Sequence, residues 1–165
     1  MISTIYDSPI GRLQLLVDQE ALIGRWFKNK GRVEENLPDN VHFISWSRPE
    51  FKPYINWLES YFRGQTNSAI IFSSQSNEPD CFWQNVWRIL KKIPYGKTMT
   101  YKEIAKTIEA ETKQKVSAQA VGGEVGANPI LLLIFCHRVI SATNALTAYS
   151  AGTDRKIWLL NHEKV

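Results

Sequence analysis

The sequence is poor in cysteine and histidine. Two cysteines, Cys81 and Cys136, occur among 165 residues, so the disulfide framework typical of small secreted domains is not expected. The three histidines, His42, His137 and His162, are scattered along the chain and lack the spacing of a zinc site. We therefore expect free thiols, no bound metal and no cofactor.

Long apolar segments and basic leader sequences are also lacking. The run ILLLIF at 130–135 is far shorter than the roughly 20 residues that a membrane-spanning helix needs. The N-terminal segment MISTIYDSPIG has no basic stretch followed by an apolar run, as a signal peptide would have. The sequence thus predicts a cytoplasmic protein that does not contact a membrane, and we expect a monomer.

Charge is distributed unevenly along the chain. Residues 1–85 hold 8 basic and 10 acidic residues, whereas residues 86–165 hold 12 basic and 6 acidic residues. The net charge of +4 therefore originates in the C-terminal half. This asymmetry is typical of a protein that binds a polyanion, but a solvated basic surface without any partner explains it equally well.

The N-terminal half has the pattern of an α/β domain. Three short β-favouring runs predict an antiparallel meander, and they span 2–6, 13–17 and 22–27. A helix is predicted over 53–62, with a proline in its first turn, and a further strand at 70–72. The polar segment 73–79 has the composition of a linker, so we predict domains at 1–75 and 80–165.

The C-terminal half changes to helical spacing. Apolar residues predict a helix from 82 to 93. Thr100 and Glu103 have the spacing of a capping box before a second helix, and Ser117 can cap a third helix that ends near Asn128. Two short helices joined by a turn fit a helix-turn-helix, although most helix pairs bind no DNA.

Two further elements are predicted near the C-terminus. The apolar run 130–135 is typical of a buried strand, and it ends directly before Cys136. A last helix is predicted over 154–162, with its inward face formed by Ile157, Trp158, Leu160 and, as a further candidate, Leu159.

The third predicted helix contains an unusual number of small residues. Ala118, Ala120, Gly122 and Gly123 leave little side chain on its surface, and two adjacent glycines cost a helix about 2 kcal/mol relative to alanine. Either close helix packing or close approach to a nucleic-acid groove explains such a loss.

Cys136 lies directly before His137. Burial would favour its neutral thiol, whereas only the thiolate attacks, so a neighbouring base would be needed. Adjacent residues of a strand point to opposite faces, so His137 can serve only if the chain turns or a water bridges. A carboxylate should orient the imidazole, and Glu163 is the best candidate. The competing interpretation is a buried structural cysteine.

These elements occur together in a recognisable order. The segments IPYGKTMTYKEIAKTI, AVGGEVGANPI, CHRVI, AYSAG and RKIWLLNHE resemble those of the O6-alkylguanine-DNA alkyltransferases, or methylated-DNA–protein-cysteine methyltransferases. The N-terminal segments SPIGRLQLLVDQEALIGRWF and ESYFRGQ are similar to that family's N-terminal domain. The resemblance covers nearly the whole chain.

The resemblance implies a fold and a function. The fold would be an α/β N-terminal domain of the ribonuclease-H-like type, with an antiparallel meander plus helix, followed by a mostly helical C-terminal domain with a helix-turn-helix. The function would be direct-reversal repair of double-stranded DNA that contains O6-alkylguanine. The protein would bind the minor groove, flip the damaged guanine out of the stack, as chemistry on a paired base requires, and transfer the alkyl group once, irreversibly, to its cysteine.

The resemblance also implies a role for each catalytic residue. Cys136 matches the alkyl acceptor, His137 the base that acts through a water, and Glu163 the acid that orients this base. Asn128 matches an asparagine that holds the network. Tyr101 matches a tyrosine that turns the phosphate and donates a proton to the leaving guanine.

Other positions match the substrate pocket and the DNA-binding helix. Val139 matches a backbone position that binds the guanine edge, and Lys156 matches a lysine near the pocket. Tyr149 and Ser150 match the loop that closes over the alkylated oxygen. Arg138 is expected to brace the active-site turn. The implied DNA-contacting residues all lie on the third helix: Ala118, Gln119, Ala120, Gly122 and Gly123.

Several positions depart from the family pattern. Phe135 replaces the usual proline before the cysteine, and this substitution changes the volume of the substrate pocket. Gln119 replaces the arginine that fills the gap left by the flipped base, and Glu124 places a carboxylate on a helix that would face phosphates. The residues of the chemical step are therefore intact, whereas the DNA-contacting helix is altered.

Three alternatives to alkyl transfer remain open from the sequence. A non-transferring or inefficient sensor of alkylated bases would keep the DNA-binding helix; the presence of Cys136 argues against it, and Gln119 argues for it. A cysteine-dependent hydrolase would need an oxyanion hole and a separate cleft, which the sequence does not indicate. A structural or regulatory helix-turn-helix protein would contain an inert Cys136.

Overall fold

The computed structural model describes residues 1–18, 21–27, 40–65, 81–143, 146 and 149–164. The chain divides into two compact units, residues 1–75 with 129–131 and residues 76–128 with 132–165. The predicted strand at 70–72 and the predicted linker at 73–79 lie outside the described residues. The domain limits 1–75 and 80–165 stay a prediction.

The first unit contains a four-stranded sheet in the order β3-β2-β1-β4. β1 (Ile2–Ser8), β2 (Gly11–Asp18) and β3 (Ala21–Phe27) form the antiparallel meander that the sequence predicts. β4 (His42–Phe43) pairs in parallel with β1. The meander follows directly from three β-favouring runs that are separated by turns too short for any other connection.

The interior strand β2 is buried on both faces, because residues 13–17 are all buried. Gln14 lies among apolar neighbours, and its side-chain amide donates to Oγ of Ser3 at 3.0 Å. The hydroxyl of Ser3 in turn donates to the carbonyl of Leu15 at 3.0 Å. These hydrogen bonds satisfy polar groups that would otherwise destabilise the core.

One helix packs on this sheet. α1 (Lys52–Phe62) follows a 3₁₀ helix at Pro49–Phe51. The hydroxyl of Tyr54 accepts a hydrogen bond from the N–H of Leu22 in β3 at 3.0 Å, so the helix is held against the sheet by a polar contact as well as by its apolar face. That face consists of buried residues at helical spacing, namely Tyr54, Ile55, Trp57, Leu58 and Tyr61.

The second unit is mostly helical. α2 (Phe82–Leu90), α3 (Tyr101–Thr112) and α4 (Ala118–Gly126) pack against one another. α5 (Thr153–Glu163) packs against a 3₁₀ helix at Cys136–Arg138. α2 ends three residues earlier than predicted, because the backbone continues beyond Leu90 as tight turns. None of the described helices is long and apolar enough to cross a membrane.

A short parallel pairing joins two segments of this unit that are far apart in sequence. β5 (Met99–Thr100) pairs with β6 (Val139–Ile140), with Met99 opposite Val139. β5 leads directly into α3, and β6 directly follows the 3₁₀ helix that carries Cys136. The pairing therefore brings the start of α3 next to the segment of the cysteine.

The predicted helix caps of α3 and α4 are present. Oγ1 of Thr100 accepts a hydrogen bond from the N–H of Glu103 at 3.2 Å, and the Glu103 carboxylate accepts from the N–H of Thr100 at 2.7 Å. Oγ of Ser117 accepts from the N–H of Ala120 at 3.0 Å. Local sequence therefore determines where both helices begin.

Residues 130–134 are buried as predicted and Phe135 is half-buried, but the run is not a strand. Leu132 has φ +70° and forms a turn with Leu133, which breaks an extended backbone. Residues 129–131 belong to the first unit, whereas residue 132 and those after it belong to the second. The run is continuously apolar because its two ends are buried in different units.

The prediction for the inward face of α5 is wrong for Ile157, Trp158 and Leu160, whereas the further candidate Leu159 is buried. Ile157 is 40% exposed, and Trp158 and Leu160 are only half-buried. The buried positions are Lys156, Leu159 and Glu163. Two of these three residues are charged, so apolar periodicity does not identify the face that points inward.

Candidate active site

The chain turns at Cys136 instead of continuing as a strand. The 3₁₀ helix Cys136–Arg138 begins with a hydrogen bond from the N–H of Cys136 to the carbonyl of Ile134 at 2.7 Å. A second hydrogen bond runs from the N–H of Arg138 to the carbonyl of Phe135 at 3.0 Å. This turn removes the objection that adjacent side chains of a strand point apart. Cys136, His137 and Arg138 are all buried.

The thiol of Cys136 is held in its neutral form. The residue is only 2% exposed, and burial raises the pKa of the thiol to about 11, although a hydrogen bond from Asn128 opposes this rise. Nδ2 of Asn128 donates to Sγ at 2.9 Å and to the carbonyl of Ile134 at 3.0 Å. Asn128 thus fixes both the sulfur and the turn that precedes it. At neutral pH the sulfur needs a base before it can attack.

His137 follows Cys136 in the same turn, and its ring is held in a neutral form. Its Nε2 lies 2.8 Å from Oε1 of Glu163, and burial lowers the pKa of the imidazole despite this carboxylate. An ionised carboxylate can only accept hydrogen bonds, so Nε2 carries the proton. The buried Nδ1 therefore carries the lone pair, which is the form that can take a proton from a thiol.

Arg138 keeps Glu163 ionised. Nε of Arg138 donates to Oε2 at 2.8 Å, and Nη2 donates to Oε1 at 3.0 Å, in a bidentate pair. Burial alone would raise the pKa of Glu163, but its interactions with His137 and with Arg138 lower it to about 2. The bracing role predicted for Arg138 therefore has a specific geometry, in which the arginine and the histidine share one carboxylate.

The polar face of α5 supplies this carboxylate and a buried lysine. Lys156 and Glu163 lie seven residues apart, two helical turns on the same face. Nζ of Lys156 donates to the carbonyl of Val139 at 2.5 Å, and burial lowers the pKa of this amine. A carbonyl has two lone pairs, so Val139 can still accept a hydrogen bond from a bound base.

Phe135 occupies the position before the cysteine with a specific contact. Its ring lies under the guanidinium of Arg138, 3.7 Å from the carbon to the ring centroid, within the range of a cation–π interaction. Its φ of −75° is one that proline also adopts. The departure from the family pattern therefore keeps the backbone angle and adds a stacking partner for the arginine.

Tyr149 and Ser150, the residues predicted for the loop over the substrate, differ in solvent exposure. Tyr149 is 8% exposed, whereas Ser150 is exposed. The N–H of Gly152 donates to the carbonyl of Tyr149 at 2.8 Å, which closes a turn directly before α5. The structure thus places the tyrosine inward and the serine outward at this turn.

Tyr101 is the first residue of α3, and it lies close to the small residues of α4. The side chain of Tyr101 is half-buried, and its ring is 3.8 Å from the position that a Cβ on Gly122 would take. Apart from the backbone of its own helix, no atom of the described residues lies within 4 Å of a Cβ on Gly123. The predicted DNA-contacting residues that are exposed are Ala118, Gln119, Ala120 and Gly123.

Sequence reasoning missed the turn at residues 93–96, which contacts both Glu163 and Arg138. The Pro94-Tyr95-Gly96 sequence indicates a turn after the helix, but it does not indicate what that turn contacts. No group of three or more His, Cys, Asp or Glu side chains within the described ranges could hold a metal ion.

The fold and the site define a class of protein. An α/β unit precedes a helical unit, which contains a buried neutral thiol, a neutral histidine and an ionised glutamate. These features are typical of the class of proteins in which a cysteine nucleophile is activated by proton transfer.

Comparison with known proteins identifies the family within this class. Residues 81–165 match the family model described as 6-O-methylguanine DNA methyltransferase, DNA binding domain. Residues 1–70 match the ribonuclease-like domain of the same family. The chain therefore belongs to the 6-O-methylguanine DNA methyltransferase family, and the resemblance stated from the sequence is confirmed.

Individual relatives cover almost the whole chain. Methylated-DNA–protein-cysteine methyltransferase of Methanosarcina acetivorans is 39% identical, over 99% of this chain and 98% of the relative. The protein of the same name from Haemophilus influenzae is 34% identical, over 98% of this chain and 86% of the relative. The structure of Mycobacterium tuberculosis OGT in complex with DNA has a TM-score of 0.84 and 33% identity, and covers 99% of this chain and 93% of that chain.

Proposed function

We propose that this protein repairs DNA by direct reversal, in one irreversible transfer of an alkyl group from O6 of guanine to Cys136. Its full-length relatives are named methylated-DNA–protein-cysteine methyltransferases, and each molecule would act once. The observation that carries the proposal is the buried Cys136 thiol in a turn with a histidine that is hydrogen-bonded to an ionised glutamate. A cysteine with a purely structural role needs no hydrogen-bonded histidine and glutamate beside it.

The transfer is a single displacement. The Cys136 proton moves through a water to Nδ1 of His137, and the sulfur attacks the alkyl carbon. The S–C bond forms as the C–O6 bond breaks, and the electron pair leaves with the guanine. The hydroxyl of Tyr101 returns a proton to the base. Asn128 keeps the sulfur in place, because it donates to Sγ at 2.9 Å.

The substrate pocket is formed by residues around this sulfur. The carbonyl of Val139 accepts a hydrogen bond from the guanine edge, and Lys156 holds that carbonyl from α5. Tyr149 and Ser150 close over the alkylated oxygen. Phe135 sets the volume beside the cysteine.

The partner is double-stranded DNA, bound by α3 and α4 as a helix-turn-helix. The two helices are joined by residues 113–117, pack against each other, and leave the N-terminal turn of α4 exposed. Gln119 fills the space left by the flipped guanine. Close packing within the described chain does not explain Gly123, because a Cβ there would meet nothing. Close approach of a DNA groove explains it.

The sensor alternative is not favoured. A protein that only recognises alkylated bases needs neither the neutral histidine nor the ionised carboxylate beside a buried thiol. The proposed repair protein works in the cytoplasm. It acts as a monomer and needs no cofactor, because the protein groups of the displacement all belong to one chain.

The intact mass of the protein tests the proposal. The wild type and Cys136→Ala are incubated with a duplex that contains O6-methylguanine, and a single added methyl group is expected on the wild type alone. Cys81→Ala is the matched control and should gain the methyl group. Tight binding of the methylated duplex without a change of mass would support the sensor instead. No preference for the methylated duplex would contradict both.

A further inference from the structure

The turn at residues 93–96, between α2 and β5, lies against the C-terminal end of α5. The N–H of Lys97 donates to the carbonyl of Pro94 at 3.1 Å and closes the turn. Gly96 has φ +71° within it, a conformation that residues with a Cβ rarely adopt. The backbone of the turn therefore requires a glycine at this position.

Two hydrogen bonds connect this turn to the end of α5. The hydroxyl of Tyr95 donates to the carbonyl of His162 at 3.1 Å, and this carbonyl belongs to the last helical turn, whose carbonyls lack partners within the helix. The N–H of Gly96 donates to Oε2 of Glu163 at 3.3 Å. The turn thus holds the backbone before Glu163 and the carboxylate itself.

A third hydrogen bond connects the turn to the arginine that neutralises this carboxylate. Nη1 of Arg138 donates to the carbonyl of Ile93 at 2.5 Å, and Ile93 is only 2% exposed. The guanidinium is therefore fixed at the turn while its other nitrogens donate to Glu163. Both members of the buried ion pair are bonded to the same four-residue segment.

The close approach of Gly96 to α5 leaves no room for a side chain. A Cβ on Gly96 would lie 2.9 Å from the backbone carbonyl oxygen of Glu163. Backbone oxygen cannot move aside as a flexible side chain can, so any Cβ would displace the end of α5. Gly64 provides the comparison, because it has a similar φ of +75° but no atom of the described part of the chain within 4 Å of a Cβ.

We propose that Gly96 and Tyr95 are positioning residues for the alkyl transfer, because their turn holds the Glu163 carboxylate against His137. The carboxylate keeps the proton on Nε2, so that Nδ1 can accept the proton of Cys136. The part of this inference that concerns the rate of transfer rests on the proposed function. The part that concerns the tautomer of the His137 ring is independent of the proposed function.

The pH dependence separates positioning from folding. His137 is faced by Glu163 and Lys156 from α5. Arg138 faces it from its own turn. The carboxylate is the group that raises the pKa of the imidazole against the effect of burial. If the carboxylate moves away, the acid limb of the rate profile shifts to lower pH, whereas loss of folded protein reduces the rate without such a shift.

The experiment compares Gly96→Ala, Tyr95→Phe and the control Gly64→Ala with the wild type. The single-turnover rate of methyl transfer is measured against pH, and the ¹⁵N shifts of the His137 ring report its tautomer. Gly96→Ala should lose ~10- to 100-fold in rate, because small misplacements of reacting groups have effects of this size. Its acid limb should shift downward, and its ring should no longer be held with the proton on Nε2.

Tyr95→Phe should change both measurements in the same direction by less, and Gly64→Ala should change neither. Should Gly96→Ala not fold, Tyr95→Phe decides, since it keeps the ring and removes one hydrogen bond. The inference is overturned if the folded variants keep the wild-type rate and ring tautomer. If the wild type itself transfers no methyl group, the proposed function fails, while the ring shifts still decide the role of the turn.

Discussion

Gly123→Ala should move stability and DNA binding in opposite directions. Gly123 is the sixth residue of α4, inside a regular helix, and a Cβ there would meet no atom of the described chain within 4 Å. Alanine therefore adds no steric conflict and removes the helix cost of glycine, which is about 0.5–1 kcal/mol. For a chain of this size the melting temperature should rise by about 2–4 °C per kcal/mol.

The same methyl group should weaken binding to duplex DNA. If the exposed face of α4 lies against a groove, the added carbon overpacks the interface, which typically costs about 1–3 kcal/mol. The Kd for a methylated duplex should therefore rise by on the order of tenfold. Fluorescence anisotropy with a labelled duplex measures this change, and thermal unfolding followed by circular dichroism measures the stability.

Gly64→Ala is the control for the stability argument. A Cβ on Gly64 also meets none of the residues that the structure describes, but its φ is +75°, so alanine should lose about 1–2 kcal/mol there instead of gaining. A Gly123→Ala protein that melts higher and binds DNA with unchanged Kd would refute the placement of α4 in a groove. One that melts lower would refute the claim that its surroundings are open.

Three further predictions concern charge and the thiol. Glu163→Gln leaves the buried Arg138 uncompensated and should cost about 3–5 kcal/mol in urea unfolding; a loss below 1 kcal/mol would show that the pair is not desolvated. The pKa of Glu163 falls from 4.5 to about 2 on folding, so its ionised form contributes about 3 kcal/mol to the free energy of unfolding. This contribution is fully present above pH 4.5 and is lost as the pH falls toward 2. Glu163→Gln should lack this part of the acid transition, and identical acid limbs of the two proteins would contradict the assignment. Iodoacetamide at pH 7.5 should label Cys81, which is half-buried, before Cys136, which is buried with a pKa of about 11, as peptide mass spectrometry can show; faster labelling of Cys136 would mean that the resting sulfur is a thiolate.

Local sequence was sufficient for the antiparallel meander, for the starts of α3 and α4, and for the family. The antiparallel meander follows from short β-favouring runs and turns, and the starts of α3 and α4 follow from Thr100 and Ser117, whose side chains cap the backbone a few residues away. Such interactions act over three or four residues, so the sequence contains them completely. The ordered motifs also predict Cys136, His137 and Glu163 as the residues of the chemical step.

Only the tertiary structure decided how these residues act together. His137 and Glu163 are 26 residues apart in sequence, and Gly96 and Glu163 are 67 apart, so no local pattern records that they touch. The inward face of α5 was mispredicted for the same reason, because Lys156 and Glu163 are buried by distant polar partners and not by their own hydropathy. Burial, which sets the thiol pKa and the charge of the carboxylate, is a property of the packed chain.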